Sequence, residues 1–344
     1  MLSLCLALSG MTPSTMRAVR KTGLAGCGPP SFGCVVVSGS TPVPVAGHRE
    51  VLINVSSSGV NPDELTVLSL PAVHYTLGID VAGVVAALGP GCTRLKVGDM
   101  VWAAGIKGGM AEFAVRPEAT VGVVPAGVDM VAAGTLPTVA MTSFGALRSA
   151  GAPWTPSLSR SRHRGGDREL TVLVTAGTGG TGYTAVQLAK AQGATRVITA
   201  ATGTGIAFAK SIGADVVVDY TKGSVYDAAP NGSVDVVISN HKSNSTAERA
   251  MAKLRNPGGI YVTLDGDTTS EVPVGITQID YDLFDPKEAA RFVEYLDAIG
   301  SLIAEGAVRT EVQQVYGFDQ VKAALNVEAK GGVLSKLAVV PLQL

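Results

Sequence analysis

The sequence of 344 residues is poor in charge, in aromatic side chains and in cysteine. Charged residues make up 16% of the chain, aromatic residues 5%, and the formal net charge is -1. A chain so close to neutrality has no field that attracts nucleic acid, so we expect no nucleic-acid partner. The 4 cysteines are irregularly spaced. They predict neither a disulfide framework nor a lobe of zinc-binding thiolates.

Long hydrophobic runs are also absent. No stretch reaches the roughly 20 apolar residues that cross a bilayer, so we expect no membrane span. The apolar opening, residues 1–8, is short and no Lys or Arg precedes it, which makes it a poor signal peptide. We expect residues 1–15 to be a disordered tail and the protein to be soluble, in the cytoplasm or in an organelle.

Hydrophobic residues, by contrast, make up 46% of the chain. One stretch, residues 171–190, predicts a buried parallel strand, a glycine turn and a helix. Gly177, Gly179 and Gly182 have the spacing G-x-G-x-x-G. The first glycine allows the tight turn, the second lets a pyrophosphate approach the backbone, and the third packs the helix on the strand. An ordinary glycine-rich loop is the alternative. We expect a dinucleotide site made by Gly177, Thr178, Gly179, Gly180, Thr181 and Gly182.

The length predicts about two domains, and the chain shows two patterns. Residues 16–116 contain short strands separated by turns, which favours a partly open β-barrel. From residue 171 onward, five strands alternate with helices and predict a parallel, doubly wound sheet. A helix beginning at Asp285 and Pro286, with its cap and proline, comes next. A further helix near residues 321–325 and a strand at 337–340 can return to complete the first domain.

The segment 151–169 fits neither pattern, because it combines prolines and serines with five closely spaced basic residues. Such a cluster could bind an anionic partner. We favour a solvated loop, which is what such runs usually form.

Several motifs stand outside the glycine turn: Gly59-Val60-Asn61-Pro62-Asp63, Leu77-Gly78-Ile79-Asp80-Val81-Ala82-Gly83-Val84, Gly98-Asp99, Gly108-Gly109-Met110-Ala111-Glu112, Leu136-Pro137 with Thr142, and Ile212-Gly213-Ala214-Asp215. With the turn, they resemble the medium-chain dehydrogenase/reductase superfamily, in its zinc-free quinone or enone reductase branch. The resemblance covers nearly all of residues 16–340. It implies an α/β fold in which a Rossmann sheet, residues 139–285, is inserted in a GroES-like β-barrel catalytic domain, residues 16–138 and 286–344. It also implies a homodimer.

The expected chemistry depends on the positions at which zinc enzymes of the superfamily carry their metal ligands. Where zinc alcohol dehydrogenases of the superfamily have Cys and Gly-His-Glu, this chain has Asn61 and Gly78-Ile79-Asp80. Without thiolate or imidazole we expect no zinc. The resemblance then implies hydride transfer to an acceptor that withdraws electrons, either a quinone or the C=C bond of an α,β-unsaturated carbonyl such as an enone or enal. The alternatives are an alcohol dehydrogenase and a cofactor-binding protein of the same fold with little activity.

Relatives place the residues that match Asn61 and Thr142 beside the nicotinamide, although Asn61 before Pro62 could simply hold a turn. Asn61 is therefore the first catalytic candidate. Tyr75 is the best candidate for a proton donor, in a short loop after the Asn-Pro motif. His74 is the next candidate, and solvent could also serve.

The cofactor is expected to be NADPH rather than NADH. An NAD enzyme usually has Asp or Glu at the end of the second strand of the sheet, to bind the ribose 2′-hydroxyl. Residues 200–205 contain no acid. Thr202 could bind a 2′-phosphate, and Tyr220 matches a tyrosine that relatives place near it. The remaining expected contacts of the cofactor are Asn240, Leu264 and Gly266, with Asn240 in a loop that departs from the family's pattern.

Overall fold

The computed structural model describes residues 12–23, 26–71, 74–154, 170–240 and 246–341. All five basic residues of the segment 151–169 lie outside the described residues, as do residues 1–11 of the expected tail. No helix in the described ranges is long and apolar enough to cross a membrane.

The strands are β1 Thr15–Lys21, β2 Val35–Pro42, β3 Glu50–Gly59, β4 Tyr75–Thr76, β5 Val81–Leu88, β6 Met100–Ala103, β7 Phe113–Pro117, β8 Val121–Val123, β9 Thr171–Val174, β10 Arg196–Ala201, β11 Val216–Asp219, β12 Val236–Ser239, β13 Ile260–Thr263, β14 Thr277–Asp280, β15 Gln314–Gly317 and β16 Leu337–Val340. The α-helices are α1 Pro62–Ser69, α2 Met130–Ala133, α3 Pro137–Ser149, α4 Gly180–Ala191, α5 Thr204–Ser211, α6 Thr246–Lys253, α7 Pro286–Ala289, α8 Phe292–Ala304 and α9 Val321–Lys330. Short 3₁₀ helices cover Glu118–Thr120, Val225–Ala228 and Phe318–Gln320.

The chain separates into two compact units. Unit 1 comprises Met1–Thr138, Ala289–Gly300 and Thr310–Leu344. Unit 2 comprises Val139–Glu288 and Ser301–Arg309.

Unit 2 contains the doubly wound sheet that the alternation of strands and helices predicts. Its strand order is β11-β10-β9-β12-β13-β14, and every neighbouring pair is parallel. The order reverses beside β9, so the carboxyl ends of β9 and β12 border the crevice where such sheets bind ligands. The prediction of five strands was wrong by one. The sixth, Thr277–Asp280, is a short edge strand of mostly polar residues and gives no apolar run in the sequence.

Unit 1 is built on antiparallel strands, apart from the parallel pair of β15 and β16. A sheet of seven strands has the order β15-β16-β3-β5-β6-β8, with β7 also paired to β3, and a second sheet has the order β2-β1-β4. The last strand, β16, pairs with β3 through Ala338 and Gly59, so the end of the chain completes this sheet. These two units are the GroES-like and Rossmann-like parts of the expected fold class, which is confirmed.

Prolines begin three helices, because a proline at the first helical position lacks only an N–H that has no intrahelical partner. Pro62 starts α1, so the first half of the segment expected to be a loop is helical. Pro137 starts α3, the helix that carries Thr142. The helix predicted at Asp285 and Pro286 begins at Pro286 as expected, but it ends at Ala289, and a separate helix, α8, begins at Phe292.

Cys27 and Cys34 form a disulfide bond, which the irregular cysteine spacing did not predict. The loop between them encloses Phe32, whose side chain is fully buried. The backbone N–H of Cys27 donates to the carbonyl oxygen of Leu68 at 2.8 Å. The bridge therefore fixes a loop that packs against the C-terminal half of α1.

Candidate functional site

The glycine turn after β9 has a geometry that fits a bound pyrophosphate. A Cβ added at Gly177 would lie 1.9 Å from Thr199 Oγ1, and one at Gly182 would lie 2.0 Å from the carbonyl oxygen of Ala176. A Cβ at Gly179 would meet only that carbonyl oxygen, at 3.9 Å. The protein's own packing therefore requires the first and third glycines. The second borders open space, which is where a ligand approaches the backbone.

Helix α4 begins directly after this turn. Gly179 is its N-cap residue, and no side chain caps the helix. The first N–H groups of a helix have no intrahelical acceptor, and the helix dipole is positive at this end. An anion fits here, and Gly180, Thr181 and Gly182 supply the N–H groups for it.

Thr142 lies on α3, and the next residue, Ser143, contacts the start of α4. The hydroxyl of Ser143 donates to the carbonyl oxygen of Thr181 at 2.7 Å and lies 2.7 Å from Thr184 Oγ1. These contacts hold Thr142 on a helix that packs against the glycine turn.

The carboxyl ends of β12 and β13 carry three of the expected cofactor contacts. The Asn240 backbone N–H donates to Thr175 Oγ1 at 2.8 Å, and Asn240 Nδ2 donates to the Thr175 carbonyl oxygen at 2.7 Å. The N–H of Leu264 donates to the carbonyl oxygen of Ser239 at 3.0 Å. Gly266 has φ +72°, a conformation that favours glycine. The structure thus brings Asn240, Leu264 and Gly266 to the carboxyl ends of the adjacent strands β12 and β13, of which β12 pairs with β9.

Thr202 and Tyr220 follow the ends of β10 and β11. Residue Ala201 is paired in register with Asp219, so an acid lies beside the strand end that has none of its own. The pKa of Asp219 is lowered to about 2, chiefly because the Thr221 hydroxyl and N–H donate to it. The sequence does not reveal this carboxylate at the end of β10, because Asp219 is brought there by the pairing of β11 with β10.

A buried polar group in unit 1 surrounds Asn61; we call Asn61, Glu64, Asp80, Thr138 and Lys336 the Asn61 cluster. All five are at least nine-tenths buried. Asn61 Nδ2 donates to Asp80 Oδ2 at 2.8 Å, and Lys336 Nζ donates to Asn61 Oδ1 at 2.6 Å. Thr138 donates to Asp80 Oδ1 through its N–H at 2.7 Å and its hydroxyl at 2.6 Å.

Glu64 caps α1 in place of Asn61. Its carboxyl accepts the backbone N–H of Asn61 at 2.6 Å and that of Ile79 at 3.2 Å. Burial raises the pKa of Glu64 to about 8, against the opposing effect of the Asn61 N–H. Burial also raises the pKa of Asp80, although Lys336 and the donors of Thr138 and Asn61 oppose the shift. Asn61 therefore lies between one ammonium and one carboxyl group.

Tyr75 lies on β4 of the same unit, but its hydroxyl donates to the backbone carbonyl of Ile106 and not to the Asn61 cluster. Burial, followed by the nearby carboxyl of Glu64, raises the pKa of Tyr75 to about 12. The buried Arg116 donates to the carbonyl oxygen of Ile79 at 3.1 Å. The other candidate for proton transfer, His74, is exposed.

Across the described ranges, no group of three or more His, Cys, Asp or Glu residues could hold a metal ion.

Comparisons with known proteins agree with this architecture. The family model of the alcohol dehydrogenase GroES-like domain matches residues 47–126, and that of the zinc-binding dehydrogenases matches residues 212–339. The mitochondrial NAD(P)H oxidoreductase RTN4IP1 of Mus musculus is 28% identical over 332 residues, which cover 85% of this chain and 81% of that protein. The chloroplast envelope quinone oxidoreductase homolog of Arabidopsis thaliana is 27% identical over 325 residues, or 87% of this chain and 92% of that protein.

Among solved structures, the quinone oxidoreductase from Coxiella burnetii superposes with a TM-score of 0.77 at 23% identity, over 95% of this chain and all of that chain. The fold, the glycine turn and these relatives together indicate an oxidoreductase that uses a nicotinamide cofactor. The chain belongs to the medium-chain dehydrogenase/reductase superfamily and, within it, to the quinone oxidoreductase branch.

Proposed function

We propose that the chain is an NADPH-dependent, zinc-independent reductase that transfers a hydride to a quinone or to the C=C bond of an α,β-unsaturated carbonyl. NADPH supplies the hydride when it is bound. The observation that carries the proposal is the Asn61 cluster, in which Asn61 and Asp80 stand in the motifs where the superfamily's zinc enzymes have Cys and Gly-His-Glu.

Zinc does not fit this cluster. The amide of Asn61 and the aliphatic side chain of Ile79 replace the thiolate and imidazole that zinc prefers. The ammonium of Lys336 lies 2.6 Å from Asn61 Oδ1, and its positive charge repels a divalent cation. Without a Lewis acid, the residues act by orienting the reactants and by hydrogen bonding. Such a site suits acceptors that delocalise the incoming negative charge onto their own oxygen.

The glycine turn supports a dinucleotide cofactor through its amides and its open side at Gly179. We propose that Asn61 and Thr142 lie beside the nicotinamide, that Asn240, Leu264 and Gly266 contact the neighbouring ribose, and that Thr202 and Tyr220 bind the 2′-phosphate.

The preference for NADPH rests on the end of β10, which has Ala201 and Thr202 where an acid would bind a free 2′-hydroxyl. The neighbouring Asp219 opposes a phosphate at this place, and Lys222 Nζ, 3.4 Å from its carboxylate in an exposed ion pair, offsets that charge only in part. We expect the dissociation constant for NADPH, measured by fluorescence titration, to be at least about tenfold lower than that for NADH, a difference of about 1.4 kcal/mol. Equal binding of the two would overturn the preference.

Tyr75 is the proposed proton donor. The phenol is neutral at pH 7 and carries a proton for a developing oxyanion, although burial raises its pKa and so makes it a weaker acid than a free tyrosine. We expect Tyr75→Phe to lower kcat for enones about a hundredfold while NADPH binding stays unchanged. Full turnover by this variant on every acceptor would remove Tyr75 from the mechanism and leave His74 or water.

The deciding experiment follows NADPH absorbance against a panel of quinones, enals and enones. Oxidation of NADPH by at least one class supports the proposal. Tight NADPH binding with no oxidation by any acceptor would favour a cofactor-binding protein, and NADP⁺ reduction by simple alcohols would favour an alcohol dehydrogenase. We further propose a homodimer in the cytoplasm or an organelle, with light scattering as the test of the dimer.

A further inference from the structure

We propose that Lys336 is a positioning residue that fixes the carboxamide of Asn61 in a single orientation. The catalytic part of this inference rests on the proposed function, whereas the orientation itself follows from the hydrogen bonds of unit 1.

Lys336 immediately precedes β16, and the residue is 3% exposed. Its ammonium donates to Asn61 Oδ1 and to the carbonyl oxygen of Val60, both at 2.6 Å. The backbone is fixed at the same place, because the N–H of Val60 donates to the carbonyl oxygen of Leu337 at 3.0 Å. The pairing of β16 with β3 therefore determines where the ammonium lies.

The chemistry of the three side chains decides which end of the amide faces which neighbour. An ammonium can only donate hydrogen bonds, so the atom of Asn61 that faces Lys336 must be the carbonyl oxygen. The NH₂ group must then face Asp80, whose Oδ2 accepts from it at 2.8 Å. Lys336 enforces this arrangement in either protonation state of Asp80. One N–H of the carboxamide is used by Asp80, and the other is the group that we assign to the cofactor.

The acceptor side of the cluster is equally constrained. Asp80 Oδ1 is bound by both the N–H and the hydroxyl of Thr138, and its backbone oxygen accepts from the Ser58 hydroxyl at 2.6 Å. The carboxamide is thus held at both ends by buried groups that are themselves hydrogen-bonded. Removing the ammonium leaves Asn61 free to turn over, because an amide can face Asp80 with either end once that carboxyl carries a proton.

Lys21 provides a matched control. Its side chain is fully buried, and its ammonium donates to the carbonyl oxygens of Val67 and Leu70 at the C-terminal end of α1. It is therefore a second buried lysine of unit 1 bonded to backbone carbonyls, but it makes no bond to Asn61.

The test uses the full chain with the substitutions Lys336→Met, Asn61→Ala, the double substitution, and Lys21→Met. We expect Lys336→Met to lower kcat about tenfold or more, with the NADPH dissociation constant changed less than about threefold. The double variant should turn over no more slowly than Asn61→Ala alone, because Lys336 acts through Asn61. Lys21→Met should lower thermal stability and keep kcat. Additive losses in the double variant, or a wild-type kcat in Lys336→Met, would overturn the proposal.

A second measurement is independent of turnover. In protein labelled with ¹⁵N-asparagine, the Asn61 side-chain signal is identified by its loss in Asn61→Ala. We expect it to move in Lys336→Met and to stay in place in Lys21→Met. If Lys336→Met does not fold, Lys336→Gln, whose amide can present either end to Asn61, is compared in the same way. A wild-type protein without turnover on any acceptor refutes the proposed function, whereas an unmoved Asn61 signal refutes the positioning role.

Discussion

The most direct test of the glycine turn replaces its second and third glycines by alanine, one at a time. Gly179 has φ -75° and ψ 173°, which alanine adopts without strain, and its added Cβ meets nothing closer than 3.9 Å. We therefore expect Gly179→Ala to keep its stability or to gain about 0.4–1 kcal/mol from the stiffer unfolded chain. The new methyl group points where a pyrophosphate approaches. Loss of one hydrogen bond to a charged group costs about 1.5–3 kcal/mol, so the NADPH dissociation constant should rise at least about tenfold.

Gly182→Ala should behave in the opposite way. Its Cβ would lie 2.0 Å from the carbonyl oxygen of Ala176 and 2.8 Å from Gly177 Cα, and both contacts are with backbone. Overpacking of this kind costs about 1–3 kcal/mol, whereas alanine gains about 1 kcal/mol in helix propensity over glycine. The net effect is a loss of stability unless the overpacking cost lies at the low end of its range. Each kcal/mol lowers Tm by about 2–4 °C in a domain of this size.

The assays are thermal unfolding without cofactor and fluorescence titration with NADPH. The two variants should differ: Gly179→Ala should lose affinity for NADPH at an unchanged Tm, and Gly182→Ala should have a lower Tm. A Gly179→Ala protein that binds NADPH like the wild type would show that the open side of the turn is not the phosphate site. A fall in Tm as large as that of Gly182→Ala would show that the space beside Gly179 is filled by the protein itself.

Two further predictions concern unit 1. Because the pKa of Glu64 is about 8 when folded and 4.5 as its ordinary value, the folded state keeps a proton that the unfolded state releases. The free energy of unfolding should therefore fall as pH rises from 4.5 to 8, by at most about 5 kcal/mol. In Glu64→Gln, Tm measured across this pH range should fall less steeply than in the wild type. An unchanged pH dependence of Tm would contradict the burial of Glu64. Replacing both Cys27 and Cys34 by Ser should cost about 2 kcal/mol, since the bridge closes only a short loop. A reductant should lower the Tm of the wild type and leave this variant unaffected, and equal sensitivity of the two would argue against the bridge.

The sequence could predict those features that depend on neighbours along the chain. The glycine turn lies within one strand–turn–helix unit, so spacing alone indicates its geometry. The alternation of strands and helices predicts the parallel sheet in the same way. Edge strand β14 was not predicted, because Thr277–Asp280 has no apolar run and an edge strand does not need one.

Features that depend on strand pairing could not be predicted in this way. Lys336 reaches Asn61 across 275 positions of the chain, through the pairing of β16 with β3. Asp219 reaches the end of β10 through the register of β11. In both cases the sequence shows a charged residue next to an apolar strand but does not identify its partner. Residue spacing carries no information on the register between distant strands.

The way in which α1 begins has a consequence for the variability of this site. An asparagine before a helix normally serves the helix, and its replacement then weakens the fold. Here the N–H bond at the helix start is made by Glu64, and the Asn61 side chain is directed to Lys336 and Asp80 instead. Folding and chemistry are thus assigned to different residues only three positions apart. Replacing Asn61 therefore spares the bond that Glu64 makes at the helix start, and its cost falls on Lys336 and Asp80, which lose their hydrogen bonds to the carboxamide.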